Sequence, residues 1–203
     1  IVPAANPVLR NRDVDYPFRQ DSDFHYLTGF PEPEAIAVLA PGGEQEFLLF
    51  CRDRDPLMET WHGRRAGPQG AVERYGANIA HPIAATDQLL PPLLENRERV
   101  YYAIGYRPDF DQRVMGWVNQ VRGKARAGVR APTTFVALEH LLHPMRLRKA
   151  PEEIAVMRES ARIAAAAHRR AMEICRPGLM EYQLEAEIFQ TFQRNGAGWA
   201  SPS

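Results

Sequence analysis

The sequence has no net charge, only two cysteines, and no apolar run long enough to span a bilayer. Each shortage closes off a class of function. Lys plus Arg and Asp plus Glu number 25 each among 203 residues, so no global field draws the chain to nucleic acid or to an anionic membrane. The clusters Arg64-Arg65, Arg146 to Lys149 and Arg169-Arg170 are read as solvated faces or ion-pair partners. Cys51 and Cys175 stand 124 positions apart with no CxxC spacing. That suits a reducing compartment and two small buried thiols, not a disulfide framework. No apolar stretch approaches the roughly 20 residues a transmembrane helix needs. No signal peptide is visible in a chain that begins at Ile1, and the cytoplasm is the expected location. Several catalytic motifs are missing as well. GxSxG, HExxH, GxGxxG and the P-loop do not occur, and Gly63 to Gly67 lacks the lysine and hydroxyl of a phosphate cradle.

What is present reads first as a mixed α/β region. Ile1 to Ala4 looks like the tail of a strand. Asp21 to Thr28 has helical spacing around Phe24 and Leu27, with Gly29 to close it. Ala35 to Ala40 and Glu46 to Cys51 are short apolar or alternating runs joined by Pro41-Gly42-Gly43, a hairpin signal. Helices are expected over Pro68–Tyr75, Asp87–Glu95 and Pro108–Val121, the last with Val114, Trp117, Val118 and Val121 on one side. Strands are expected near Asn78–Pro82 and over Arg99–Ile104. Alternation of this kind favours a sheet covered by helices. Asp53 to Asp55 reads as a charge-dense solvated turn, and Gly123 to Pro132 as the loosest segment.

The longest helical signal comes after this region. Pro151 stands where a first-turn proline is tolerated, and Glu152 and Glu153 place negative charge at the positive end of the helix dipole. Ile154, Met157, Ala161, Ala164, His168, Ala171 and Cys175 recur at three- and four-residue steps, which predicts one buried stripe. Arg176-Pro177-Gly178 stops it. A second run carries Leu184, Ile188 and Phe192 on one face and ends at Asn195-Gly196. The two helices read as the opening of a second domain, so the expected division is 1–149 and 150–203.

No constellation in these residues supplies chemistry by itself. His140 and His143 have i,i+3 spacing, but zinc needs a further converging ligand; a half-buried, hydrogen-bonded pair is the expected state. His168 falls on the predicted stripe and is read as a core histidine.

The run RLRKAPEEIAVMR…AHRRAMEICRPGLMEYQLEAEI closely resembles the start of the catalytic domain of bacterial aminopeptidase P, in the creatinase/prolidase or pita-bread group. The segment YPFRQDSDFHYLTGFPEPEAIAVL and the motif ETWHGRR resemble the amino-terminal domain of the same family. The resemblance covers nearly all of the chain. It implies an α/β amino-terminal domain with a mixed sheet flanked by helices, then the first helices of an α+β pita-bread domain. It implies a hydrolase that removes the amino-terminal residue from peptides with proline second. Creatinase or prolidase chemistry, or a non-catalytic peptide-binding relative, are the alternatives.

The family uses two divalent metal ions, expected to be manganese, bridged by a hydroxide. Such a pair lowers the pKa of bound water and polarises the scissile carbonyl. Its ligands in the family are two aspartates, a histidine and two glutamates, all beyond the second helix. The expectation is therefore that residues 1–203 contain no catalytic residue and no metal ligand, and cleave no peptide alone. Two substrate-contacting residues are implied by resemblance. Trp61 matches the family tryptophan of W-x-G-R-R, and Arg126 matches an arginine in the loop before the Ala131-Pro132 dipeptide. The expected partners are Xaa-Pro peptides and further copies of the chain, as a dimer or homotetramer, with no nucleic acid and no membrane.

Overall fold

A computed structural model describes residues 1–43 and 45–198. In chain order it contains β1 (Val2–Pro3), β2 (Leu9–Asn11), β3 (Val14–Asp15), α1 (Ser22–Thr28), β4 (Ile36–Leu39), β5 (Phe47–Cys51), α2 (Pro56–His62) and α3 (Gly67–Tyr75). It continues with β6 (Ile79–Pro82), α4 (Thr86–Leu94), β7 (Arg99–Tyr102), α5 (Pro108–Arg122), β8 (Thr134–Ala137), α6 (Glu139–Leu147), α7 (Pro151–Ile174) and α8 (Glu181–Arg194). The chain divides into two compact units between His143 and Pro144, partway along α6. Residues 199–203 of the expected second domain lie outside the described residues.

In the first unit, the Pro41-Gly42-Gly43 turn folds β4 and β5 into an antiparallel pair, with Ile36 opposite Phe50 and Val38 opposite Leu48. Side chains on a strand alternate faces. Ile36, Val38, Leu48 and Phe50 therefore enter one core, and Ala37, Leu49 and Cys51 enter the other. Both faces are apolar because both are covered. Phe24 of α1, Ala71 of α3 and Leu142 of α6 cover one side; Leu90 and Leu94 of α4 and five residues of α5 cover the other. The result is a helix–sheet–helix sandwich, the expected fold class. Burying an apolar side chain of this size stabilises by about 1.5–3 kcal/mol.

The sheet runs β1-β4-β5-β6, with β6 parallel to β5. A parallel pair, β7 and β8, lies alongside: the Ile1 nitrogen donates to the Tyr101 carbonyl at 2.7 Å. Sequence periodicity missed β8, which follows the segment read as loosest, and the small exposed hairpin of β2 and β3. α1 matches its expectation closely. Asp21 Oδ1 accepts from the Asp23 and Phe24 amides at 3.0 and 2.9 Å, and Gly29 closes the helix at φ 62°.

α5 is fixed to α4 by one carboxylate. Asp87 Oδ1 accepts from Trp117 Nε1 at 2.7 Å and from Arg113 Nη2 at 2.9 Å. Partial burial pushes the Asp87 carboxyl up, but the hydrogen bonds from Trp117 and Arg113 outweigh it and hold the group below its ordinary 3.8. A depressed carboxyl stabilises above its unfolded pKa, and that stability is lost as pH falls through the folded value. Asp87→Asn is accordingly expected to lower stability at pH 7 by less than about 1 kcal/mol, since the side chain is 65% exposed. Thermal melts from pH 7 downward should show the difference closing below about pH 4. A gap that widens toward acid would contradict the assignment.

In the second unit α7 and α8 pack on each other, and Arg170 Nε donates to Glu187 Oε2 at 3.0 Å. The Ala150 amide donates to Glu153 Oε2 at 2.8 Å at the start of α7. The predicted α8 face is found, with Leu184, Ile188 and Phe192 half-buried. The predicted α7 stripe is displaced by about one residue. Ile163 and Ala167 are buried, whereas Met157, His168 and Cys175 are exposed. Five consecutive apolar residues, Ile163 to Ala167, give the pattern no angular preference there. His168 is therefore not a core histidine, and of the two thiols only Cys51 is buried. Burial, with the negative charges of Glu32 and Asp53, pushes the Cys51 thiol up to about 12.

Candidate functional site

The tryptophan of the W-x-G-R-R motif lies on α2, a helix that hydrophobic periodicity did not mark; the expected turn Asp53 to Asp55 precedes it, and Gly63, Arg64 and Arg65 follow it. Asp55 accepts from the Leu57 and Met58 amides at 3.1 and 3.2 Å, Pro56 occupies the first turn, and Gly63 ends the helix at φ 82°. Those signals were available: an N-cap aspartate followed by a first-turn proline is a helix start. No residue of α2 is buried. Leu57 and Trp61, four residues apart and hence on one face, are 81% and 83% exposed.

A helix with nothing in the core takes its position from its ends. Arg54 Nε and Nη2 donate to Glu59 at 3.1 and 3.0 Å, a bidentate pair that tethers α2 to the residues after β5. The hydrogen bond from Arg54 holds the Glu59 carboxyl below its ordinary value. Beyond the helix, Arg65 Nη1 donates to the Asp53 carbonyl at 3.4 Å. The Ala66 amide donates to Glu32 Oε1 at 2.5 Å. Arg52 lies between two carboxylates, 3.9 Å from Glu32 Oε2 and 3.9 Å from Glu34 Oε2. Glu34 itself has φ 55°, a left-handed conformation uncommon outside glycine. Gly67, at φ 64°, follows the tether; a Cβ there would meet Arg54 Cγ at 2.8 Å.

Trp61 and Arg126 are not brought together within one chain. Arg126 lies exposed on a 3-10 turn, Ala125–Ala127, closed by Gly128 at φ 80°. That turn belongs to the end of the sheet holding the β4–β5 turn. Lys124 pairs with Glu95 at 2.6 Å, the Asn96 amide donates to the Arg130 carbonyl at 2.8 Å, and Arg97 reaches the Pro41 carbonyl at 3.4 Å. α2 follows the other end of β5. The carboxyl ends of parallel strands are where open α/β sheets commonly present their functional loops, and α2 lies outside the carboxyl ends of β5 and β6. His140 and His143 are both exposed on α6, not half-buried, and His143 lines a cavity of about 610 Å³ with Arg19, Arg107 and Glu139. Among the described residues, no group of three or more His, Cys, Asp or Glu side chains is placed to hold a metal ion. None of their helices is long and apolar enough to cross a membrane.

Two family models match the chain: the aminopeptidase P N-terminal domain over residues 1–101, and metallopeptidase family M24 over residues 155–203. The Xaa-Pro aminopeptidase of Escherichia coli is 44% identical over 200 residues, which is 98% of this chain and 45% of that protein. The structure of Pseudomonas aeruginosa aminopeptidase PepP superposes with a TM-score of 0.92 at 57% identity, covering 96% of this chain and 44% of its own. A zinc-substituted E. coli aminopeptidase P in complex with product gives 0.89 at 43% identity, over 95% of this chain and 44% of its own. The chain thus spans a little under half the length of the relatives it matches.

Proposed function

This chain belongs to the aminopeptidase P family, and on that premise we propose that the complete protein is a metal-dependent Xaa-Pro aminopeptidase. It would release the first residue from peptides with proline second. Residues 1–149 would form its amino-terminal domain and 150–203 the start of its metallopeptidase domain. The observation that carries the reading is similarity in unbroken order over 98% of the chain to a protein of that name.

The substrate explains why a dedicated enzyme is needed. An Xaa-Pro bond is a tertiary amide, with no N–H on the leaving nitrogen and φ fixed by the ring. Proteases that hold an extended backbone through that N–H have nothing to grip. A pocket shaped for the ring does. Trp61 is the residue of this chain best suited to wall such a pocket, because a rigid indole offers apolar area at little entropic cost. Arg126 would reach a substrate carbonyl or carboxylate. Since the two occupy opposite ends of the sheet, one substrate would take them from different copies of the chain, which favours a homodimer or homotetramer. The described residues do not gather a metal-ligand set, so the two divalent ions, manganese by our reading, would rest on residues downstream. A zinc-substituted relative indicates that a site of this type accepts more than one metal. The working location would be the cytoplasm, without nucleic-acid or membrane partners.

The test uses the complete protein loaded with divalent metal and a matched pair of peptides, Xaa-Pro-Xaa and Xaa-Ala-Xaa. Release of the first residue from the proline peptide alone is expected; equal cleavage of both, or of neither, contradicts the reading. Trp61→Ala is expected to lower kcat/KM about tenfold with metal content unchanged. Unchanged kinetics would remove Trp61 from the pocket.

A further inference from the structure

We infer that Glu32 is the positioning residue that sets where α2 presents Trp61. The inference rests on the reading of Trp61 as a substrate contact, and it adds a residue that touches no substrate. Three observations carry it. First, α2 has no buried residue, so core packing does not fix its direction. Its attachment is polar at one side, through Arg54 and Glu59, and at the other runs through Arg65 to Ala66, a core residue whose amide Glu32 accepts. Second, Glu32 reaches this segment across 34 positions of sequence, accepting the Ala66 amide at 2.5 Å. Gln20 secures the loop that carries Glu32, donating to the Phe30 and Glu32 carbonyls at 3.2 and 2.7 Å. Gln20 also accepts the Ala5 amide at 2.9 Å, so the tether runs back to the strand edge of the sheet.

Third, the buried polar atoms that have no hydrogen-bond partner among the described residues are Glu32 Oε2, Arg52 Nε and Arg65 Nε. All three belong to this attachment. Unpaired buried polar groups are costly and cluster where a structure is held for function and not for stability alone. With Glu32 Oε2 at 3.9 Å from Arg52 Nη2, the pair interacts by charge without a hydrogen bond. A small shift of Arg52 or Glu32 would change how the Gly63–Ala66 turn leaves the helix. The side chain of Trp61 lies two residues before that turn, and any tilt there moves the indole. The same geometry explains Glu34: its left-handed backbone turns the Pro33-Glu34 loop so that both carboxylates face Arg52.

The experiment uses the complete, metal-loaded protein. Glu32→Ala removes the tether; Glu32→Gln keeps an acceptor for the Ala66 amide and loses only the charge. Hydrogen exchange over residues 56–66 is expected to speed up about tenfold in E32A, the size expected from losing a charge-assisted hydrogen bond. E32Q should fall between it and the parent. For an Xaa-Pro peptide, KM should rise several-fold in E32A while kcat stays within about twofold, since Glu32 meets no reacting atom. E32A combined with W61A should be no worse than W61A alone, because the first acts only through the second. Unchanged exchange in E32A overturns the inference. So does faster exchange with unchanged KM when W61A itself raises KM, and so does additive loss in the double variant. If W61A leaves KM unmoved, the Trp61 reading fails instead, and exchange over 56–66 decides the tether by itself. Should E32A fold poorly, E32Q is expected to show the same changes at smaller amplitude, and their absence there overturns the inference equally.

Discussion

Stripping divalent metal from the complete protein is expected to reduce hydrolysis of an Xaa-Pro peptide about a thousandfold or more, because metal sites of this class supply several kcal/mol of transition-state stabilisation. Adding back manganese or zinc should restore it in proportion to metal bound. The effect should stop at the chemistry. Thermal melting of the amino-terminal unit, followed through buried Trp117, should not respond to chelator, since no described side-chain group there can hold an ion. A polypeptide confined to residues 1–203 should show no stoichiometric heat on titration with manganese and should release no amino acid from the peptide. The contrast between the two is the informative result. Tight binding by residues 1–203 would relocate the metal site into this chain, and full activity after chelation would remove metal from the reaction.

Most of the fold was legible where local pattern and burial agree. The Pro-Gly-Gly turn between two apolar runs gave β4 and β5, and the Asp21 and Gly29 caps gave α1 nearly to the residue. Helix α5 was readable because Asp111, Gln112 and Arg113 precede Val114 and Asn119 and Gln120 separate Val118 from Val121, so one face alone can be buried. α7 failed the same test. From Ile163 to Ala167 every face is apolar, and the burial of Ile163 and Ala167 is set by tertiary packing that the local pattern does not show. α2 was missed for the opposite reason: it buries nothing, so hydrophobic periodicity carries no information, and only its caps betray it. Trp61 and Arg126 came from family resemblance, and their placement at opposite ends of the sheet came from topology. Glu32 was invisible in sequence, because nothing local marks a carboxylate that reaches a backbone amide 34 residues away.

Trp117→Ala is expected to be the most destabilising single change in the first unit, costing about 3–5 kcal/mol. The indole is 1% exposed and stands edge-on to Phe110, with ring centroids 5.8 Å apart and planes at 82°. Arg113 lies over the ring at 5.2 Å, and Nε1 is bound to Asp87. Truncation removes three contributions at once. The apolar area is lost, a cavity opens in the core between α4, α5 and the sheet, and Asp87 loses one of the two side chains that hold α4 to α5. The indole's neighbours on the same face of α5, Val114, Val118 and Val121, are fully buried and leave little room for collapse, which places the cost toward the upper part of that range. Trp117→Phe separates the parts: it fills most of the space and deletes only the N–H, so about 1–2 kcal/mol should remain. Urea unfolding of the complete protein, read by circular dichroism because the fluorophore is removed, gives both values. In an Asp87→Ala background, which removes the acceptor that Asn would keep, the Phe substitution should cost less than it does alone, since the two share one hydrogen bond. Equal costs in both backgrounds would mean that the indole is held by packing and the carboxylate binds Arg113 only.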